Sequence, residues 1–319
     1  MDKISIIIPC YNEEDSIPYL KEELCYIMSK FDQVCFEVIM VDNCSEDRSL
    51  DIMQEIHAVD NRFQYISLSR NFGKDSSMYA GLKASTGDYV TVMDADLQDP
   101  PELLMDMYRV LKYECYDCAA AYRMNRNGEP WLRSVLADLF YKFMRIISDA
   151  DMVNGARDFR LMTRQMVNAV LSLEESQRFT KGIFAWVGFR TKWIPFENRE
   201  RIAGSTKLPM KNAFSYAIRG IIAFSTVPLV LTSIIGVLIC IVALAFTLYV
   251  LVQQLILKNA VPGYPSLMCI MLFGFGIMFM VLGIIGQYIA QIYLEIKHRP
   301  KYIVRESSIR ELCDVDKKL

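Results

Sequence analysis

The sequence predicts an α/β fold, a doubly wound and mainly parallel sheet, followed by two C-terminal membrane-spanning helices. Short apolar runs rich in β-branched residues recur through the first half, and segments with helical spacing separate them. Two long uncharged stretches occupy the last third. Near-continuous apolar runs suit strands covered on both faces, and strands alternating with helices imply right-handed βαβ units.

The expected strands are residues 4–8, 36–41, 63–68 and 89–93. After the first, Ile17, Leu20, Leu24, Ile27 and Met28 recur at helical spacing, as do Ile52 and Ile56 after the second. From about Pro130 a long amphipathic stretch begins, with Trp131, Val135, Leu139 and Phe143 on one side. It reads either as a core helix or as one that touches a membrane or lines an acceptor site. Residues 229–252 and 267–290 are each 24 residues without a charge. At about 1.5 Å rise per residue either spans a hydrocarbon layer of roughly 30 Å. The loop between them, 253–266, carries one cation, Lys258, whereas Arg199, Arg201, Lys207, Lys211 and Arg219 precede the first stretch and Lys297, Arg299, Lys301, Arg305 and Arg310 follow the second. The positive-inside rule then puts both termini in the cytoplasm. Within 208–228, Met210, Phe214, Ala217, Ile218, Ile221 and Ile222 share one helical face opposite Lys211 and Arg219, the pattern of a helix lying in the membrane interface. The expected organisation is a cytoplasmic catalytic domain (1–207), an interfacial helix (208–228), two spans joined by a non-cytoplasmic loop, and a cytoplasmic tail (291–319).

Composition agrees. A chain of 319 residues exceeds the usual single domain of about 100–200 residues. Its 53% hydrophobic content and mean hydropathy of +0.19 locate the apolar excess in the last third, because the first part reads as ordinary soluble protein. A net charge of −2 argues against nucleic acid as a partner. The nine cysteines are scattered, and Cys115 with Cys118 has no second CxxC or histidine partner for zinc, so they read as reduced thiols. The first residues, MDKISIIIPCYNEED, hold too short an apolar run for a secretory signal.

The strongest local chemistry is Asp94-Ala95-Asp96-Leu97-Gln98, directly after the fourth strand. Two carboxylates one residue apart at a strand end can share a hard divalent cation that neutralises a diphosphate. The alternative is a polar turn into a helix, and Asp99-Pro100-Pro101-Glu102 has the cap, first-turn proline and N3 acid of a helix start. That division leaves Asp99 for the cap and Asp94 and Asp96 for the site. The first strand ends in Pro9-Cys10-Tyr11-Asn12-Glu13 and the second in Asp42-Asn43-Cys44-Ser45, so three strand ends present acids and amides to one crevice.

These segments, with Ser69-Arg70-Asn71-Phe72-Gly73-Lys74, Arg157-Asp158-Phe159-Arg160-Leu161-Met162 and Arg201-Ile202-Ala203-Gly204-Ser205-Thr206-Lys207, resemble family 2 glycosyltransferases of GT-A fold. The resemblance is to the polyprenyl-phosphate enzymes related to dolichol-phosphate mannose synthase and bactoprenol glucosyltransferase, and it covers nearly the whole chain. It implies that Pro9, Tyr11 and Glu13 line the nucleoside, that Asp42 hydrogen-bonds the base or ribose, and that Lys74 and Asp94 lie beside the sugar nucleotide. Asp96 and Gln98, with Asp94, are implied as ligands of Mg²⁺ or Mn²⁺. Asp158 matches the position of the family's base; its own residues also allow an ion pair with Arg157 or Arg160. A phosphate monoester, with a second pKa of about 6, is largely dianionic at neutral pH and hardly needs a strong base, so orienting the acceptor is the more modest role. Arg201 and Lys207, helped by Lys211, are implied to bind the acceptor phosphate, with a purely topological role as the alternative. Asn43 and Cys44 depart from the family's common DDGS.

The expected function is inverting transfer of a sugar, UDP-glucose first and UDP-N-acetylhexosamine, UDP-galactose or GDP-mannose behind it, onto a polyprenyl phosphate at the cytoplasmic membrane face. A homo-oligomer is compatible with this reading but not required by it. A processive polysaccharide synthase fits less well, because Gln177-Arg178-Phe179 departs from Gln-x-x-Arg-Trp. Outside enzymes, the alternative is a membrane-tethered nucleotide-sugar sensor or scaffold.

Overall fold

The computed structural model describes residues 1–123, 153, 155–175, 178–197, 225, 227–255 and 263–309. The chain divides into two units, Met1–Ala217 with Arg299–Leu319, and Ile218–His298. In the first unit run β1 (Asp2–Cys10), α1 (Ile17–Ser29), β2 (Val34–Asp42), α2 (Ser49–Val59), β3 (Phe63–Leu68), α3 (Lys74–Ala84), β4 (Tyr89–Val92), α4 (Leu103–Tyr113), β5 (Cys118–Arg123), β6 (Ala156–Thr163), α5 (Arg164–Ser172), α6 (Thr180–Trp186) and β7 (Thr191–Phe196). The second unit holds α7 (Val227–Leu255) and α8 (Tyr264–Ile296), after which β8 (Val304–Ser307) returns to the first.

The strands form one sheet in the order β7-β5-β6-β4-β1-β2-β3-β8. The central four, β3-β2-β1-β4, are parallel; β1, β2 and β3 contain the runs expected from their apolar residues, and β4 ends one residue short of the expected 89–93. Outside them the sheet is mixed: β6 runs antiparallel to β4 and to β5, and β8 antiparallel to β3, while β7 is parallel to β5. The sheet is therefore mainly parallel as expected, with its antiparallel pairings outside the central four strands.

In β1, Ile4, Ile6, Ile7 and Ile8 are all fully buried because helices cover both faces. Ile4, Ile6 and Ile8 pack in one cluster with Leu20 and Leu24 of α1 and Leu104 and Met107 of α4. Ile7 faces α3, where Gly81 lies so close that a Cβ would meet Ile7 Cγ2 at 2.2 Å. Only glycine lets α3 approach β1 this closely, and that approach fixes the position of Lys74 at the start of the helix.

The segment expected as a tail after the membrane stretch supplies β8. Gln54 Nε2 donates to Glu306 Oε1 at 2.5 Å and Tyr65 N donates to Ser308 Oγ at 2.9 Å, closing the otherwise open edge of β3.

In the second unit, one described helix is long and apolar enough to cross a membrane, Phe273–Ile296, and none of its hydropathic window is buried. It lies within α8, which contains the whole expected stretch 267–290. Val227–Ala243 is a shorter apolar helical stretch. Large apolar side chains such as Val242, Phe273 and Phe279 are exposed on these helices, as suits an apolar solvent.

Candidate active site

β1 and β4 are neighbours from which the chain departs in opposite directions across the sheet, so their carboxyl ends flank a topological switch point. Ligands of open α/β sheets bind in such crevices. The loops after β1, β2 and β4 meet there, and each contains a non-glycine residue in the left-handed region: Asn12 (φ 53°), Cys44 (φ 60°) and Leu97 (φ 54°). Each such residue costs on the order of 1 kcal/mol, so the surroundings must over-determine it. They do so for the first two loops by cross-links. Asn12 N donates to Ser45 Oγ at 3.0 Å, Glu46 N to Asn12 Oδ1 at 2.8 Å, and Glu13 N to Ser49 Oγ at 2.8 Å.

Pro9, Tyr11 and Glu13 sit half-buried at the β1 end. The Glu13 carboxylate accepts from Ser16 Oγ at 2.9 Å and so helps to start α1. Asp42 is 1% exposed, and its two oxygens accept from Ser45 N at 3.0 Å and Ser67 Oγ at 2.9 Å. Its visible work is to shape the β2 loop. Cys44 occupies a left-handed position that glycine fills without strain, which explains why the family pattern has glycine there. Asn43 Nδ2 donates to Asn71 Oδ1 at 2.9 Å while its Oδ1 accepts from Phe72 N at 2.9 Å. An ionised aspartate could not make the first of these bonds, so the departure ties the β2 loop to the segment carrying Lys74.

After β4, Met93, Ala95 and Leu97 are buried while Asp94, Asp96 and Gln98 are half-buried, so the three oxygen-bearing side chains alternate away from the core. Asp96 Oδ1 accepts from Gln98 N at 3.2 Å, holding the turn. Two carboxylates and an amide are hard oxygen donors of the kind Mg²⁺ and Mn²⁺ take. Among the described residues no group of three or more His, Cys, Asp or Glu side chains gathers as a closed cage. The set fits a cation whose remaining positions go to phosphate oxygens and water, the usual arrangement for Mg²⁺.

Lys74 links this segment to β6. Its Nζ lies 2.6 Å from Asp94 Oδ1 and 2.7 Å from Asp158 Oδ2. Asp158 is thus ion-paired, but with Lys74 rather than with Arg157 or Arg160. Burial opposes the charge on Asp158, yet Lys74, Lys181 and Arg160 outweigh it and hold its carboxyl well below the usual carboxylate range. Burial likewise opposes the Lys74 charge, but Asp158 and Asp94 raise it well above the usual lysine value. Asp158 is consequently charged in this state and a weak proton acceptor.

Asp99 does not cap a helix. The N-cap of α4 is Glu102, without a side-chain cap bond, and Asp99 lies 3% exposed with Oδ1 at 3.1 Å from Arg157 Nε. Burial pushes its carboxyl up to about 7, with Asp94 and Asp96 adding to the shift and Arg157 and Lys74 opposing it. The cap pattern is present in sequence, but pairing with Arg157 draws Asp99 inward and the helix begins beyond both prolines.

Sequence reasoning also missed Asp75, Arg160 and Lys181. Thr180 Oγ1 donates to Asp75 Oδ1 and fastens α6 to the start of α3. Arg160 was visible as a motif member and a possible partner of Asp158, and Lys181 carried no signal. Arg201, Lys207 and Lys211, the amphipathic stretch from Pro130 and most of the expected interfacial helix lie outside the described residues.

The family model for glycosyl transferase family 2 matches residues 5–171, covering β1 to α5 and every described site residue except Lys181. An uncharacterized glycosyltransferase of Synechocystis is 37% identical over 95% of this chain and 95% of its own. A prophage bactoprenol glucosyl transferase homolog of Escherichia coli is 34% identical over 95% of this chain and 98% of its own. Among solved structures, glucosyl-3-phosphoglycerate synthase from Mycobacterium tuberculosis, with Mn²⁺, uridine diphosphate and glucosyl-3-phosphoglycerate, aligns at 18% identity and a TM-score of 0.48 over 69% of this chain and 78% of that one. The residue roles therefore rest on this chain's own geometry, and the chain belongs to glycosyl transferase family 2.

Proposed function

We propose that this glycosyltransferase moves a sugar from a nucleotide diphosphate, UDP-glucose first, onto a polyprenyl phosphate at the cytoplasmic face of a membrane, with inversion at the anomeric carbon. The observation that carries the reading is the bridge from Asp94 through Lys74 to Asp158, which joins a diphosphate-side acid to the acid facing the acceptor. The likeness to a bactoprenol glucosyl transferase homolog supports a lipid phosphate as acceptor. The uncharged stretches 229–252 and 267–290, with cations outside both, support a two-span anchor with the catalytic unit and both termini in the cytoplasm.

In this reading Pro9, Tyr11, Glu13 and the loop shaped by Asp42 receive the nucleoside. Asp96, Gln98 and Asp94 would hold Mg²⁺ or Mn²⁺, which when bound neutralises the leaving diphosphate. Lys74 adds a fixed positive charge beside that developing negative charge. Asp158, kept ionised by Lys74, holds that lysine in place and accepts from any residual P–OH of the incoming phosphate monoester, which is largely dianionic and attacks without a strong base. Arg201 offers a bidentate fork and Lys207 and Lys211 point charges to that phosphate.

The test is incubation of the full-length protein in detergent with undecaprenyl phosphate, Mg²⁺ or Mn²⁺ and a panel of nucleotide sugars. A glycolipid with at least one donor, lost in EDTA, is expected. No product with any donor overturns the function, and equal product in EDTA overturns the metal.

A further inference from the structure

The catalytic unit contains a segment that the chain reaches only after α8. Residues 301–308 belong to the first unit and are half-buried except for Ile303 and Arg305. The strand within them, β8, pairs with Ile66, Ser67 and Leu68 of β3. Just before that strand the pairing continues onto the loop that follows β3, where Ser69 N donates to Ile303 O at 2.9 Å. This bond stands at the entry to 69–73, the loop that delivers Lys74. Ser69, Arg70 and Asn71 are exposed, so burial does little to hold the loop, and its far end is Gly73 at φ 92°, an N-cap without a side-chain cap bond.

The helix that follows is intrinsically weak. In α3, KDSSMYAGLKA, two serines and an inner glycine lower the propensity, and an isolated helix of about this length is marginal in water, so packing must hold it. Packing does so from two sides. Gly81 seats α3 against Ile7 of β1 and Val41 of β2, while Tyr79, two residues earlier and so about 200° around the helix, turns the other way. There the Tyr302 ring meets the Tyr79 ring edge to face with centroids 6.2 Å apart, and Lys301 Nζ lies 4.4 Å from the centre of the Tyr79 ring. Arg178 lies 4.6 Å from the same ring, its guanidinium anchored on the carbonyls of Val170 and Leu173. Together these contacts leave Tyr79 only 9% exposed.

Lys74 stands between the two points that the segment grips, five residues after Ser69 and five before Tyr79. Its Nζ meets Asp94 and Asp158 at 2.6 and 2.7 Å, and a retreat of about 1 Å takes both contacts beyond hydrogen-bond range.

We propose that residues 301–308 are a strap that positions Lys74, with Tyr302 as its positioning residue: the ring contact on Tyr79 and the bond from Ser69 to Ile303 fix the helix and the loop on either side of the lysine. The inference rests on the role proposed for Lys74 in the active site. Full-length parent and Tyr302→Ala protein in neutral detergent are compared by amide hydrogen exchange read by mass spectrometry. Exchange across 69–80 is expected to rise at least about fivefold in the variant, while 2–10 and 17–29 keep the parental rate. In turnover Tyr302→Ala is expected to lower kcat/KM about tenfold, since a misplacement of about 1 Å can cost more than that. Tyr302→Phe, which keeps the ring, is expected to stay within about twofold of the parent by both measures. In a Lys74→Met background Tyr302→Ala is expected to cost no more than about twofold further, because its effect passes through the lysine; a merely structural role would cost the same factor in either background. Tyr302→Leu, which keeps apolar bulk without the ring, carries the same tests if the alanine variant does not fold. Unchanged exchange across 69–80, a rise shared equally by β1, an equal loss with phenylalanine, or an undiminished loss in the Lys74→Met background overturns the strap. If no donor gives glycolipid, the proposed function fails by itself, while the exchange rates still decide whether 301–308 hold the Lys74 segment.

Discussion

Replacing Lys74 by methionine keeps the aliphatic stem and removes the charge that joins Asp94 to Asp158. At 2.6 and 2.7 Å, each pair has a gross attraction of about 6 kcal/mol at an effective dielectric constant near 20. Most of that is offset by lost hydration. The Lys74 side chain is 43% exposed, against 28% for Asp94 and 16% for Asp158, so the site lies between an exposed pair worth about 0–1 kcal/mol and a buried pair whose breakage costs about 3–5. An intermediate loss of about 2 kcal/mol lowers kcat/KM roughly 30-fold. A second effect separates this account from mere damage to the fold. Asp158 then keeps only Lys181 and Arg160 against its burial, so its carboxyl rises and the acid limb of the kcat/KM profile moves to higher pH. Initial rates of glycolipid formation across the acidic range, with circular dichroism to verify folding, measure both. An unmoved acid limb, or activity within about twofold of the parent, refutes the bridge as a functional element.

Asp96→Ala should lower turnover about 10²–10³-fold, because a carboxylate that helps to neutralise the leaving group acts mainly in the transition state; steady-state rates with and without added Mn²⁺ check it. Gly81→Ala should destabilise the catalytic unit by about 1–3 kcal/mol in urea titration, since its Cβ would meet Ile7 Cγ2 at 2.2 Å, and an unchanged midpoint contradicts the close approach of α3 to β1. Asp99→Asn should remove a pH dependence. Between the ordinary value of 3.8 and about 7 the folded protein holds a proton on Asp99 that the unfolded chain has lost, so stability falls as pH rises through that window. A shift of that size corresponds to roughly 4 kcal/mol, and urea midpoints of metal-free parent and variant should converge at low pH and separate toward neutrality.

The parts legible in the sequence are those whose signal is local. The central strands follow from runs such as residues 4–8, whose isoleucines are all buried, and α1 buries Ile17, Leu20, Leu24, Ile27 and Met28 as its spacing implied. The segment Asp94 to Gln98 could be placed at a strand end because the apolar run 89–93 directly precedes it. The illegible parts depend on long-range pairing. Lys74 and Asp158 are 84 residues apart, and nothing in KDSSMYAGLKA announces a helix start aimed at two acids. β8 is a short polar strand, VRES, whose only reason to be a strand is the open edge of β3. β6 and β7 place Arg160 and Trp193 on one cavity through a mixed flank that helix and strand alternation cannot foresee. Asp99 shows the opposite failure, a local cap signal overridden by pairing with a half-buried arginine.

The account's central claim is that a sugar is displaced from a nucleotide diphosphate directly by a lipid phosphate. Full-length protein supplied with undecaprenyl phosphate and UDP-α-glucose, or whichever α-linked donor the panel selects, gives a product whose linkage proton NMR reads unambiguously. A β-linked glycosyl phosphate on the lipid is the predicted result. An α-linked product, or a sugar released to water while the lipid phosphate stays unmodified, contradicts it.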